Sequence, residues 1–193
     1  LRFPYVAGYI PNDEFRTRIA SYLKQVIGGD INKMKKNLPC TMPLWGKLRI
    51  RHGGDSISTT ACMTRQNPIQ RNKTFIRCEF SYEDDTRKTV DLVQYGQLQK
   101  IVVCQLDNKS IWKHLQGETL VLALVKPCQT RGLDGRIALT SYSTFLAGNV
   151  IDLRSIKAVV GRVESRGKWY IIDRSENIAP TAFHEQMDSD EDE

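Results

Sequence analysis

The segment Leu44-Trp-Gly-Lys-Leu-Arg-Ile-Arg-His-Gly-Gly-Asp55 decides the fold class of this chain. Basic and apolar residues alternate along its first part, which is the two-residue period of a β-strand with one buried face. The two glycines before Asp55 are typical of a hairpin turn, and the residues that follow predict a returning strand, Ile57 to Cys62. The segment therefore predicts a pair of antiparallel strands.

The rest of the chain repeats this pattern, with predicted strands roughly every 10–14 residues and turn residues between them. Leu120–Val125 is apolar on both faces, which predicts a central strand covered on both sides. Gly96 interrupts a long strand pattern, Thr89–Leu106, and predicts a bulge or a sharp bend. Glu164-Ser-Arg-Gly167 predicts a hairpin connection. The further predicted strands are Lys73–Tyr82, Arg87–Tyr95, Arg136–Ser143, Ser155–Val163 and Lys168–Asp173.

One helix is predicted near the N-terminus. Its apolar residues, from Phe15 to Ile27, recur at helical spacing and form one stripe. Asn12 or Asp13 caps its start, and Gly28–Gly29 ends it. We therefore expect a mainly β (α+β) fold, an antiparallel small barrel or sandwich with one N-terminal helix packed on it. The expected parts are residues 1–43, an N-terminal helical segment packed on the core, residues 44–184, a β-rich domain, and residues 185–193, a disordered acidic tail.

Charge is distributed unevenly along the sequence. Lys and Arg number 28 and Asp and Glu number 22, which gives a net charge of +6. Six of the acids lie in the last nine residues, which contain no Lys or Arg, so residues 1–184 carry a net charge of +12. Such a basic body attracts polyanions, and nucleic acid is the first partner to expect. The longest apolar run, Leu120–Val125, is too short to cross a bilayer, so no membrane partner is expected.

Motifs for catalysis are missing from the sequence. It contains no GxSxG, no Walker loop, no HExxH and no GxGxxG after a strand. Its five cysteines and three histidines are dispersed without a CxxC pair, so we predict no metal site and no cofactor. Single aspartates at strand ends and turns select no pair for two-metal chemistry. We therefore predict no catalytic residues and no intrinsic enzymatic activity.

The basic residues supply the candidate site. Side chains two apart on a strand lie about 6.6–7 Å apart, close to the spacing of successive phosphates along a strand of nucleic acid. We predict that phosphates are bound by one strand face, by the turn after it and by the loop and strand that follow. The other interpretation is an ordinary solvated sheet face. The candidate nucleic-acid-binding residues are Lys47, Arg49, Arg51, His52, Arg65, Arg71, Lys73 and Arg77.

Aromatic residues lie near cations at both ends of the chain. Tyr5 and Tyr9 follow Arg2, and Lys168 precedes Trp169. Stacking on single-stranded bases is one interpretation of this arrangement. A core anchor of the last strand is the other interpretation of Trp169.

Four motifs together carry a resemblance to a known family. They are the Leu44–Asp55 segment, Tyr95-Gly-Gln-Leu98, Ile156-Lys-Ala-Val-Val-Gly-Arg-Val163 and Lys168-Trp-Tyr-Ile-Ile-Asp-Arg174. In this order they resemble a β-rich accessory domain of mushroom-type fungal transposon proteins, those of CACTA-like and Kyakuja–Dileera–Zisupton-like elements, over residues 44–175. A more distant likeness is to the accessory β-domain downstream of plant CACTA transposases. Both are similar in outline to chromatin-associated β-barrels of the bromo-adjacent homology type.

The resemblance implies transposon ancestry and a DNA- or chromatin-linked role in the nucleus. It supplies no catalytic or binding residues, since no DDE-type transposase core is recognisable. We therefore predict a non-catalytic, nuclear DNA-binding module of transposon origin, whose partners are DNA or another nucleic acid, a chromatin protein or the parent transposase. The alternative is a chromatin-reader or protein-interaction β-barrel, and the third interpretation is a metal-dependent nuclease.

Overall fold

Strands are the main regular structure of this protein, as the sequence predicts. A computed structural model describes residues 1–50, 56–62, 72–83 and 89–175. Its α-helices are α1 (Asp13–Ile27) and α2 (Ile31–Asn37). Its strands are β1 (Arg2–Tyr9), β2 (Met42–Arg49), β3 (Ser56–Ser58), β4 (Phe75–Glu83), β5 (Thr89–Gln105), β6 (Thr119–Pro127), β7 (Ser141–Tyr142), β8 (Asn149–Asp152), β9 (Ile156–Val159), β10 (Gly161–Ser165) and β11 (Lys168–Ile172). Three short 3₁₀ turns are Thr60–Cys62, Ser110–Leu115 and Leu153–Ser155.

The strands form an eight-stranded and a three-stranded antiparallel sheet. In the large sheet the order is β1-β2-β5-β4-β9, with β3 paired to β2, β6 to β5 and β8 to β6; the small sheet has the order β10-β11-β7. Among the described strands no pairing joins β8 to β9, so the large sheet curves around a core without closing. The arrangement is sandwich-like, which confirms the predicted mainly β, antiparallel fold class.

Three apolar cores lie against these sheets. The helix-side core packs α1 and α2 on β5, β6 and β8, with Phe15, Leu23 and Trp112 among its members. The inner core lies within the curved large sheet and includes Ile76 and Val125. The small-sheet core, formed by Phe75, Tyr95, Cys128, Tyr142, Val160 and Ile171, fills the space between the two sheets.

A bulge allows β5 to contribute side chains to all three cores. Its register with β6 shifts between Leu98 and Lys100, which leaves Gln99 as the extra residue. Even-numbered residues face the inner core before this bulge, and odd-numbered residues face it afterwards, as Leu98 and Ile101 show. The strand runs continuously through Gly96, and the predicted irregularity lies three residues further on. Glycine at position 96 has its own reason, since an added Cβ would lie 2.5 Å from Cγ1 of Val125.

The central strand and the helix are where the sequence places them. In β6, Leu122 faces the helix-side core while Ala123 and Val125 face the inner core, which confirms a strand covered on both sides. Helix α1 begins where Asn12 Oδ1 accepts a hydrogen bond of 3.0 Å from the Phe15 amide. It ends at Gly28, whose φ of 68° is unfavourable for other residues.

The N-terminal segment contains more than the one predicted helix. Helix α2 follows α1 closely, and β1 pairs with β2, so residues 2–9 belong to the large sheet. Strand β1 was not predicted because it lacks one buried face: seven of its eight residues are exposed. In the described part of the chain no helix is long and apolar enough to span a membrane.

Several predicted strand boundaries are wrong. The Arg136–Ser143 strand is reduced to Ser141–Tyr142, because the preceding residues form turns that Asp134 holds in place. The strand returning from the first hairpin spans only Ser56–Ser58 before a 3₁₀ turn, and Ser155–Val163 divides into β9 and β10 in different sheets. The β10–β11 hairpin is confirmed, with positive φ at Arg166 and Gly167. The turn at 52–55 and the acidic tail lie outside the described residues.

Candidate nucleic-acid interface

The structure separates the eight predicted site residues into three groups. Lys47 and Arg49 on β2, and Lys73 just before β4, are exposed. Arg77 is buried. The remaining four, Arg51, His52, Arg65 and Arg71, lie outside the residues that the structure describes.

Arg77 is not part of a nucleic-acid surface, and its prediction as a phosphate contact is wrong. Its side chain is 1% exposed and all three guanidinium nitrogens donate hydrogen bonds. Acceptors are Glu79 Oε1 at 2.8 Å, Asp134 Oδ1 at 2.8 Å and Asp173 Oδ2 at 2.9 Å, and Tyr95 also lies within hydrogen-bond distance. The face of β4 that carries Arg77 is covered by the small sheet, so a phosphate would have to displace these carboxylates.

These five residues, Arg77, Glu79, Tyr95, Asp134 and Asp173, form the Arg77 cluster. Burial alone would raise the pKa of Asp134, but hydrogen bonds from Arg136 and Arg77 hold that pKa well below its usual range. Burial and the hydrogen bond that its hydroxyl donates to Asp173 raise the pKa of Tyr95. The cluster therefore contains ionised carboxylates around one guanidinium and a neutral phenol, which is a structural arrangement joining β4, β5, the loop after β6 and the end of β11.

Exposed cations lie in a row across β1, β2 and β3. The register pairs Arg2 with Lys47 and Lys47 with Ser58, and the Ser58 amide donates a 3.0 Å hydrogen bond to the carbonyl of Lys73. Since neighbouring strands are about 4.8 Å apart, the Lys47 and Lys73 backbones lie about 10 Å apart. The structure thus brings Lys47, Arg49 and Lys73 together and adds Arg2, which the sequence reasoning missed.

The row is electrostatically uncompensated. Strands β1, β2 and β3 contain no acidic residue, and Arg2, Lys47 and Arg49 form no ion pair in the part of the chain that the structure describes. Some cations elsewhere have partners: Lys35 pairs with Asp13 at 2.7 Å, and Lys100 Nζ donates to the Tyr9 hydroxyl at 2.7 Å. Positive charge on these strands is therefore available to an external anion.

Three aromatic rings pack together across β1 and β2. The Tyr5 and Trp45 rings, on directly paired residues, have centroids 4.5 Å apart, and the Phe3 and Trp45 centroids are 6.1 Å apart. Phe3 is 74% exposed and Tyr5 is 40% exposed. Trp45 packs on the inner core, as do Leu48 and Ile50 of the same strand. Lys47 and Arg49 alternate with Leu48 and Ile50, so they point to the opposite side of the sheet. We call Arg2, Lys47 and Arg49 the cationic face.

The other aromatic candidates have internal roles. The guanidinium of Arg162 lies 3.8 Å from the ring centroid of Trp169 and 3.9 Å from that of Phe75, so Trp169 is an anchor of the small-sheet core. Tyr9 packs against the helix-side core and accepts the hydrogen bond from Lys100. Of the aromatic residues that the sequence singles out, Tyr5 is thus the one with an exposed ring.

Within the described ranges no group of three or more His, Cys, Asp or Glu side chains could hold a metal ion. Asp134 and Asp173 converge, but they converge on Arg77. No protein-family model, no curated protein and no solved structure matches the chain. The cationic face is a surface whose chemistry points outward to a partner.

Proposed function

We propose that this chain is a non-catalytic nucleic-acid-binding module and that the cationic face is its contact surface. The observation that carries the proposal is the set of exposed cations Arg2, Lys47 and Arg49 on strands without a single acidic residue. Lys73 extends the row toward β4. A uniformly positive strand surface suits the regularly spaced phosphates of a nucleic-acid backbone.

Binding through these cations should depend on the salt concentration in a predictable way. Each phosphate neutralised by Lys or Arg contributes about −0.7 for a single strand, or about −0.9 for a duplex, to the slope of log affinity against log salt. Engagement of the four cations in the row, Arg2, Lys47, Arg49 and Lys73, therefore predicts a slope of about −3 to −4. Neutral hydrogen bonds would give no comparable dependence.

Fluorescence anisotropy with a labelled oligonucleotide over a series of salt concentrations tests the proposal. Lys47→Glu with Arg49→Glu is expected to weaken binding and to reduce the magnitude of the slope by about 2. The matched control is Lys33→Glu with Lys36→Glu, an equal change of charge on α2, which packs in the helix-side core away from this face. Equal losses in both variants would show attraction to net charge alone, and an unchanged affinity in the β2 variant would contradict the proposed surface.

We further infer that the nucleic acid is DNA and that the module serves a transposon-encoded protein in the nucleus, where a chromatin protein or the parent transposase is its expected protein partner. The support is the motif resemblance over residues 44–175. Protein purified without nuclease should carry nucleic acid, seen as a raised ratio of absorbance at 260 and 280 nm. Removal of that absorbance by deoxyribonuclease but not by ribonuclease is the expected result, and the reverse would contradict DNA.

A second candidate function, protein interaction, is favoured by the loop after β6. Ile137 is 85% exposed and Leu139 is 81% exposed, beside a groove of about 330 Å³ that Arg131, Ser141 and Lys168 help to line. A groove with two cations suits an acidic peptide and repels a lysine-rich histone tail. Chemical-shift changes around Leu139 on adding an acidic peptide, absent after Lys168→Glu, would support this function.

A further inference from the structure

We propose that the nucleic acid crosses the strands of the large sheet, from the cationic face to Lys126, and that Gln97 and Gln99 bind the edges of its bases on the way, with a preference for adenine. This inference rests on the proposed nucleic-acid-binding function and adds a direction, a further phosphate contact and a base preference. Cations alone hold a phosphate backbone without regard to its sequence. The two amides add contacts that depend on the base.

The row of cations continues past Lys73 onto β5 and β6. The amide of the residue after Gln97 donates a 2.8 Å hydrogen bond to the carbonyl of Thr74, and Gln97 itself lies directly opposite Lys126. Four steps between neighbouring strands therefore lead from Lys47 to Lys126, about 19 Å along the sheet surface at about 4.8 Å a step. That length matches about three intervals between successive phosphates of an extended strand.

These side chains share the outer side of the large sheet, the side opposite the inner core. Leu98 packs in the inner core, so its neighbour Gln97 points to the outer side. Lys126 points to the same side because it lies directly opposite Gln97. Lys47 does so as well, since its neighbour Leu48 packs on the inner core. One ligand on the outer side can therefore contact both lysines and the amide between them.

A ladder of side-chain hydrogen bonds holds both glutamine amides in place. Gln99 Nε2 donates to Gln97 Oε1 at 3.2 Å, and Gln97 Nε2 donates to Thr74 Oγ1 at 3.2 Å. At the other end Thr60 Oγ1 donates to Gln99 Oε1 at 3.2 Å, from the 3₁₀ turn that a backbone hydrogen bond joins to β2. Amides that are already ordered lose less side-chain entropy when they bind a ligand.

The ladder leaves half of each amide available. A glutamine side chain carries two N–H donors and an oxygen with two acceptor positions. In the described part of the chain the ladder uses one donor and one acceptor position of Gln97, and likewise of Gln99. Both side chains are half-buried, so a ligand can reach the remaining positions. A donor beside an acceptor matches adenine, whose N6 donates and whose N7 accepts.

Lys126 supplies a phosphate contact beyond the ladder. It is exposed and forms no ion pair with any residue that the structure describes. Its ammonium lies 5.0 Å from the ring centroid of Phe145, a contact that orients the ammonium without neutralising its charge. The amides thus lie between two uncompensated cations, Lys47 and Lys126. A strand whose phosphates bind both would pass its bases over the amides.

The test is fluorescence anisotropy on labelled 12-nucleotide strands of deoxyadenosine and of thymidine at one salt concentration. We expect the wild-type chain to bind the adenine strand about tenfold more tightly, which is within the range of one bidentate contact. Gln97→Leu with Gln99→Leu should abolish this preference and change the affinity for the thymine strand less than twofold. The matched control is Gln105→Leu, at the exposed far end of β5, which should keep the preference.

The outcomes separate the inference from the function beneath it. Absence of binding to either strand would overturn the nucleic-acid-binding function and this inference together. Equal binding of the two strands, weakened by Lys47→Glu with Arg49→Glu, would overturn only the reading of bases. A preference for adenine that the double glutamine variant retains would also overturn it, since other residues would then supply the preference.

Lys126→Glu tests the direction across the strands. It should weaken the binding of either strand about tenfold and reduce the magnitude of the salt slope by about 1, because Lys126 adds one phosphate contact to the four of the row. Lys33→Glu makes the same change of charge on α2 and is the matched control. An unchanged affinity for Lys126→Glu, or equal losses in both variants, would overturn the path to Lys126.

A measurement on the wild-type chain keeps the inference testable if a variant does not fold. A strand that carries a photoreactive adenine should form crosslinks to the peptide that contains Gln97 and Gln99. Crosslinks confined to other peptides would contradict the placement of bases over the ladder.

Discussion

Replacing Arg77 with methionine should destabilise the fold strongly. The side chain is 1% exposed, and Asp173, which it contacts at 2.9 Å, is fully buried. Arg77→Met keeps much of the apolar volume but leaves Asp134 and Asp173 without their shared cation. Removing one partner of a buried ion pair typically costs about 3–5 kcal/mol, because the remaining charge is uncompensated. That is a large part of the roughly 5–15 kcal/mol by which domains of this kind are stable.

Urea unfolding followed by tryptophan fluorescence would measure this loss as a change in the free energy of unfolding. The matched control is Arg154→Met, which removes the same group from an exposed pair with Asp152 and should change stability little. Adding Asp173→Asn to Arg77→Met should recover part of the loss, since the fully buried carboxylate is then a neutral amide and Asp134 keeps its ion pair with Arg136. A loss for Arg77→Met no larger than that of the control would refute the description of the cluster as buried and coupled.

The same variant should reverse the dependence of stability on pH. In the wild-type chain the pKa of Asp134 is depressed below 3.8, so its contribution is present above that pH and is lost as the pH falls through the lower folded value. In Arg77→Met, Asp134 keeps its ion pair with Arg136, but the fully buried Asp173 loses its cation, so burial raises the pKa of Asp173 and protonation relieves the uncompensated charge. Stability of the variant should therefore rise as the pH is lowered toward 4, and a parallel fall in both proteins would contradict this account.

Two further substitutions test the local structure. Gly96→Ala should lower the free energy of unfolding by about 1–3 kcal/mol, because the new Cβ would lie 2.5 Å from Val125 Cγ1 and 3.0 Å from the Lys126 carbonyl oxygen; urea unfolding measures this, and an unchanged midpoint would show that β5 and β6 can separate. Asn12→Ala should cost about 1 kcal/mol by removing the cap on the Phe15 amide, whereas Asn12→Ser, which can still cap, should cost much less.

Elements with a complete local signal could be predicted from the sequence. Helix α1 has an apolar stripe and caps at both ends, and the β10–β11 hairpin has turn residues between two alternating strands. Strand β6 was predictable because a short run of apolar residues on both faces is uncommon outside a covered strand. In each case the residues that decide the structure are close neighbours in the chain.

The rest depended on contacts between distant residues. Arg77 alternates like a surface cation, and its burial follows from Asp134 and Asp173, which are 57 and 96 residues away in sequence. Lys47 could be placed on the candidate site from alternation alone, but Arg2 joins it only through the β1–β2 register.

The extra residue Gln99 determines which side of the large sheet each later residue of β5 faces. The outward-facing side chains of this strand contribute Tyr95 to the small-sheet core before the bulge and Val102 to the helix-side core after it. A regular strand of the same length, without the bulge, would turn the residues after Leu98 to the opposite side, so Ile101 would leave the inner core. Deleting Gln99 would instead remove only the extra residue and leave Ile101 opposite Ala123, on its present side. The bulge therefore tolerates a shorter β5 but not a straightened one of the present length, which would exchange the linings of two cores at once.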